Sequence, residues 1–156
     1  MWNSQAPIGL QLSRTARTVS RAFDEALDQA GGSLPVWLIL LNLTIRQTPH
    51  QRALAEAVGV TGATLTHHLN AMEKRGLITR QRDPANRRVH KVELTEDGRQ
   101  SFVRLRQAAM EFTARLNAGL SAEEVDLLSQ LLGRLAANAG GHREGTPPWE
   151  GLAEGK

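Results

Sequence analysis

The chain has 156 residues, 40% hydrophobic and 22% charged, which suits one globular domain with a buried core and an additional helix or two. It contains no cysteine, which excludes a disulfide scaffold, a zinc ribbon and thiol redox chemistry. Net charge is only +3, yet from Lys74 to Lys91 seven cations (Lys74, Arg75, Arg80, Arg82, Arg87, Arg88, Lys91) stand against one anion, Asp83, while the remainder holds 12 cations and 15 anions.

That single segment carries the positive field and points to a polyanion such as nucleic acid, although a charged run also serves as a plain solvated face. No apolar run reaches the roughly 18 residues of a membrane span. The start, Met1-Trp2-Asn3-Ser4, has no basic and apolar leader pattern, so a cytoplasmic protein without a membrane partner is expected.

Residues 8 to 30 place Ile8, Leu12, Ala16, Val19, Phe23, Ala26, Leu27 and Ala30 at helical spacing, with Arg14, Arg17, Arg21, Asp24 and Asp28 between them. The spacing predicts a long amphipathic helix ending at Gly31-Gly32. From Val36 to Leu43 the run is apolar nearly all round, which places it in the interior. A strand is the alternative there, and the length favours a helix.

Thr48-Pro49-His50-Gln51 reads as a capping box that opens a short helix through Ala53, Leu54, Ala57 and Val58, ended by Gly59. Thr61 then caps a helix from about Gly62 to Arg75, buried along Leu65, Leu69 and Met72. Two helices across a tight glycine turn make a helix-turn-helix candidate. After Gly76 the pattern turns extended, predicting a hairpin of Leu77 to Arg82 and Arg87 to Leu94 about Asp83-Pro84-Ala85-Asn86.

Thr95 caps the next helix, whose Phe102, Leu105, Ala109, Phe112 and Leu116 form a heptad-like seam. Ser121 opens a last helix, in a second capping box, with Val125, Leu128, Leu132 and Leu135 in one row and Leu127 and Leu131 widening it. From Ala139 to Lys156 the chain is Gly, Pro and charge, and disorder is expected in spite of Trp149. The fold class is therefore mainly α with a small β-hairpin wing, a winged helix-turn-helix flanked by N- and C-terminal helices. Its parts are 1-34, an N-terminal helix; 35-98, the helix-turn-helix with its hairpin; 99-138, C-terminal helices; and 139-156, the tail.

On the helix from 62 to 75, a step of about 100° per residue sets Ala63, His67, Asn70 and Lys74 opposite the buried stripe, with Thr64 beside them. Small at its start and cationic at its end, this face suits a major groove. Ala63 permits close approach, Thr64 and His67 can meet base edges, and Lys74 and Arg75 can reach phosphates. Thr61 at the cap completes the candidate set. Arg82, Arg87 and Arg88 about the turn can enter the adjoining minor groove, unless they only protect a sheet edge.

Three stretches carry a family resemblance: Leu54 to Ile78 (LAEAVGVTGATLTHHLNAMEKRGLI), the turn Asp83 to Arg88 (DPANRR) and Leu94 to Gly98 (LTEDG). In order and spacing the chain resembles the multiple antibiotic resistance regulator (MarR) family over residues 8 to 137. The resemblance implies a homodimeric winged-helix transcriptional regulator whose first and last helices form the dimer interface. It puts recognition on residues 62 to 75 and the wing-tip arginine on Arg88. Two departures stand out: Asn86 where the family's wing usually has aspartate, and His67 where its recognition helix commonly has arginine.

A dimer also follows from the apolar stripes, which exceed what a small winged helix covers unless they pack within the chain; the candidates are Ile8, Leu12, Leu116, Leu128, Leu132 and Leu135. A two-fold dimer predicts a pseudo-palindromic DNA site with half-sites about 10 bp apart. The resemblance further implies release by a small aromatic or lipophilic anion, for which Arg14, Trp37 and His68 are the candidates; core packing is the alternative for Trp37 and a boundary position for His68. No cofactor, metal site or enzyme motif is found, and the acids at Glu96-Asp97 and Glu123-Glu124 fit helix first turns. The contrasting class is a winged-helix protein-interaction adaptor, which would not need the basic segment.

Overall fold

The structure is a computed structural model that describes residues 6–45, 50–87 and 90–140. Among the described residues six helices and one hairpin follow in the order α1 (Ile8–Gln29), α2 (Leu34–Ile45), α3 (Gln51–Val58), α4 (Gly62–Lys74), β1 (Ile78–Arg82), β2 (His90–Leu94), α5 (Glu96–Leu116) and α6 (Ala122–Asn138). It is a mainly helical winged helix, as the periodicity predicts. None of the described helices is long and apolar enough to cross a membrane.

The all-apolar run becomes α2, the element around which the others gather. Ile39 and Leu40 are fully buried, and α2 packs against α1, α3, α4, α5 and β2. Leu54 of α3, Leu65 and Leu69 of α4 and Leu105 of α5 complete a core with no solvent access. Trp37 stacks on Phe102 of α5 at 5.5 Å between ring centroids, and Phe23 of α1 meets Phe112 at 5.0 Å. Each such ring removes a large apolar area from water, of order 2 kcal/mol or more.

Local chemistry sets the ends of the elements. Gly59 ends α3 at φ 77°, a left-handed conformation that glycine adopts without strain. The Thr61 side chain accepts from Thr64 N, that of Thr95 from Gly98 N, and Ser121 with Glu124 forms the complete capping box expected. The capping box expected at the start of α3 falls partly outside the described residues. Thr48 and Pro49 lie outside the described residues, and His50 is the N-cap without a side-chain bond. The Gln51 amide donates to Thr66 Oγ1 on α4 at 2.8 Å and so braces the helix pair.

β1 and β2 pair antiparallel, with Ile78 opposite Leu94, Arg80 opposite Val92 and Arg82 opposite His90. His50 adds a bridge to Lys91, a third short edge that hydrophobic patterning does not reveal. The second strand starts at His90, later than the predicted Arg87; Arg87 falls in the turn, and Arg88 and Val89 lie outside the described residues. α5 is brought hard against the hairpin. A Cβ on Gly98 would stand 2.0 Å from the Leu77 carbonyl oxygen, so only glycine fits there. Thr95 secures the same joint through N–H to Leu77 O at 3.1 Å and hydroxyl to Gly76 O at 2.6 Å.

The seam on α5 is largely covered within the chain: Phe102, Leu105, Ala109 and Phe112 are buried against α1 and α2, and only Leu116 remains open, at 48% exposure. The apolar surplus lies elsewhere. α6 has no buried residue at all, and Leu127, Leu128, Leu131 and Leu132 are each about 40–55% exposed. On α1, Ile8, Leu10 and Leu12 are likewise uncovered. The predicted tail, including Trp149, falls on residues 141–156, outside the described residues.

Candidate nucleic-acid interface

α4 buries one face and presents the other because its apolar residues recur at steps of four and three. Leu65, Leu69 and Met72 are at most 1% exposed. Ala63, Thr64, His67, Asn70 and Lys74 are all exposed, as predicted, and His68 is half-buried at the edge of the stripe. The Thr61 hydroxyl is engaged in the cap, accepting from Thr64 N at 3.2 Å and donating to Thr64 Oγ1 at 2.9 Å. The rings of His67 and His68 meet edge-on at 5.8 Å, and among the described residues no acid or histidine cluster suited to a metal ion occurs.

The wing turn is built by Asp83. Its carboxylate accepts from Ala85 N at 2.8 Å and its carbonyl from Asn86 N at 3.2 Å, folding the chain so that Arg82 and Arg87 flank the turn, both exposed. Arg88, the residue that the family resemblance places at the wing tip, lies outside the described residues.

Three of the seven cations have partners inside the chain. Arg80 Nη2 and Nε both bind Glu73 Oε2, at 2.6 and 3.1 Å, and Nη2 also donates to Asn70 Oδ1 at 2.6 Å. Lys91 pairs with Glu93 at 2.8 Å. Arg75 donates to the Gly31 carbonyl at 2.8 Å, tying the end of α4 to the turn between α1 and α2 with one of its five N–H donors. With Glu73 and Glu93 counted, the segment's excess falls from +6 to +4. Lys74, Arg75, Arg82 and Arg87 are the exposed cations of the predicted DNA-contact set among the described residues.

The Arg80 contacts escaped the sequence reading, which counted this residue as surface charge. Strand alternation carried the signal, since Arg80 shares a face with Ile78, 1% exposed, and lies opposite Val92, 2% exposed. The side chain is 19% exposed, and its bond to Glu73 holds that carboxyl below the usual carboxylate range, slight burial pulling weakly the other way. Through Arg80 the wing is fastened directly to the polar face of α4.

The three ligand candidates are not gathered in this chain. Arg14 is exposed on α1, Trp37 is a core residue 3% exposed against Phe102, and His68 sits at the α4 boundary. A cleft of about 980 Å³ beside α3, the start of α4 and the wing includes none of them.

A recognition helix with a polar outer face, fastened to a basic wing and carried on a helix-turn-helix, defines a winged-helix DNA-binding protein. A family model described as MarR family matches residues 33–90. Among solved structures, the transcriptional regulator PA3341 is 31% identical, aligned over 87% of this chain and 100% of its own, at a TM-score of 0.69. The repressor CouR, bound to a 23-mer DNA duplex, is 28% identical over 83% of this chain and 92% of its own, at 0.70. PcaV from Streptomyces coelicolor, in complex with its natural ligand, shares the fold at 0.72, with 23% identity over 88% and 99%. The chain belongs to the MarR family of DNA-binding transcriptional regulators.

Proposed function

We propose that the chain is a homodimeric, sequence-specific repressor acting in the cytoplasm, which leaves a pseudo-palindromic operator when it binds a small aromatic or lipophilic anion. The observation that carries the reading is the Arg80 link, which sets the exposed polar face of α4 and the Arg82–Arg87 turn in one surface for adjoining grooves of a duplex. Thr64, His67 and Asn70 face the major groove, Lys74 and Arg87 the phosphates, and Arg88 completes the wing.

The dimer is supported by α6 and the first turns of α1, where Ile8, Leu10, Leu12, Leu127, Leu128, Leu131 and Leu132 stand 38–63% exposed. A second copy related by a two-fold axis covers both faces. Ile8, Leu12, Leu116, Leu128, Leu132 and Leu135 lie in that interface. The ligand reading is supported by the family likeness to PcaV and takes the crevice to be shared with the partner chain, since Arg14 is exposed on α1 while Trp37 lies in the core. Release is then a shift between two spacings of the recognition helices, driven by a difference in ligand affinity between them.

Fluorescence anisotropy against the DNA upstream of the chain's own gene, and against a scrambled duplex across a salt series, tests this. Specific binding about 10³-fold above the scrambled duplex, with a two-fold footprint, is expected. Equal, steeply salt-dependent binding to both, or none at low salt, refutes the specific repressor.

A further inference from the structure

Asn70 occupies the exposed face of α4 one turn after His67, yet its amide is not free to turn. Arg80 Nη2 donates to Oδ1 at 2.6 Å, and the same guanidinium is held by two bonds to Glu73. A guanidinium has donors and no acceptor, so only the oxygen of the amide can face it. Turning Asn70 over would set its NH2 against a cation and break the contact, so the network itself decides the orientation. One of the oxygen's two lone pairs is taken by a charged donor, one of the stronger classes of hydrogen bond, which fixes the oxygen toward Arg80 and leaves the pair of N–H donors as what Asn70 offers outward.

The base edges of the major groove distinguish these two states of an asparagine. An amide with both functions available binds adenine, accepting from N6 and donating to N7. A donor-only amide has no such match to adenine, and none to the N4 donor of cytosine. Guanine presents two acceptors, N7 and O6, at the same place.

We propose that Arg80 is a positioning residue that makes Asn70 a donor-only reader, and that the base under Asn70 in each half-site is guanine in preference to adenine. Specificity at that position thus originates on the wing strand, in a side chain that touches no DNA. The inference rests on α4 being the reading helix, as proposed above, and refines what that helix reads.

The test is selection of binding sites from a randomised duplex pool by the full-length protein, followed by competition anisotropy with single-base variants of the selected site. The wild type should show one position per half-site where guanine exceeds adenine by roughly tenfold, the size of one good base contact. Asn70→Asp keeps a partner for Arg80, and so the fold, but loses the outward donors; it should erase that preference and leave the other positions as they were. Arg80→Met should relax the same position to within about threefold between guanine and adenine, Asn70 being free to turn. The double variant should resemble Asn70→Asp.

Adenine preferred at the position that Asn70→Asp alters would overturn the proposal. So would a loss from Asn70→Asp spread evenly over all sequences, the mark of a phosphate contact. An Arg80→Met protein that folds, as judged by its circular dichroism, and retains the full guanine preference overturns it as well. A wild type that selects no sequence at all sinks the parent reading together with this one, whereas specific selection without guanine under Asn70 sinks this one alone.

Discussion

Gly98→Ala is the sharpest test of how the DNA-binding part is joined to α5. The added methyl would lie 2.0 Å from the Leu77 carbonyl oxygen, 3.1 Å from its carbon and 3.2 Å from Leu94 Cδ2. A carbon and a carbonyl oxygen rest at about 3.3 Å or more, so α5 must withdraw by about 1.3 Å from the head of β1. That movement stretches the bonds from Thr95 N to Leu77 O, now 3.1 Å, and from the Thr95 hydroxyl to Gly76 O, now 2.6 Å. Two hydrogen bonds at about 1 kcal/mol each, with about 1–3 kcal/mol for overpacking, are offset by about 0.5–1 kcal/mol from replacing a helical glycine. The net expectation is a loss of about 2–4 kcal/mol.

Urea denaturation followed by circular dichroism at fixed protein concentration would register this as a midpoint lowered by about 1–2 M, for a slope of about 2 kcal/mol/M. Gly9→Ala is the control of opposite sign. Nothing lies within 4 Å of a Cβ on Gly9 in α1, and the change should be neutral or stabilise by about 0.5 kcal/mol. A Gly98→Ala protein within about 0.5 kcal/mol of the wild type would refute the reasoning, since the obstacle is backbone and cannot rotate away.

Leu128→Glu with Leu132→Glu on α6 should dissociate the proposed dimer while leaving the helical content of the chain unchanged, because both side chains are 39–48% exposed and neither belongs to the core. Their remaining apolar area is worth about 1 kcal/mol each, doubled by symmetry, and burying carboxylates adds several more, so sedimentation should report monomer at micromolar concentration; a persisting dimer would place the interface elsewhere. Lys74→Ala should weaken all DNA sequences alike and lower the salt slope by about one, whereas Thr64→Ala or His67→Ala should relax selectivity at one position; anisotropy with matched and mismatched duplexes separates the two patterns. Glu73→Gln should lower the melting temperature at neutral pH and make no difference in acid. The lowered pKa of Glu73 means that its stabilisation is present above the ordinary value of 4.5 and is lost as pH falls through the folded value, so a difference between the two proteins that persisted unchanged at pH 3 would refute the clamp.

Much of this architecture is written in local signals. Thr61, Thr95 and Ser121 mark helix starts because a side-chain oxygen answers backbone donors two or three residues on. Gly59 marks a helix end by its positive φ, and the steps of three and four on α4 assign its buried and outer faces before any tertiary contact is known. The winged helix-turn-helix and the outward set of Ala63, Thr64, His67, Asn70 and Lys74 were therefore legible from the chain alone.

Contacts between residues far apart in sequence were decided only in three dimensions. The stripe on α5 has the period of an interface whether it packs on α1 and α2 or on another chain, and only the folded arrangement assigns Phe102 to Trp37 and Phe112 to Phe23. Likewise an arginine in a basic run carries the same charge wherever it points. Which cation reaches the carbonyl of Gly31, as Arg75 does, or the amide of Asn70, as Arg80 does, depends on distances that no periodicity encodes. Period and capping act within a few residues of the chain, and pairing acts across the core; the sequence states the first directly and the second only through the fold.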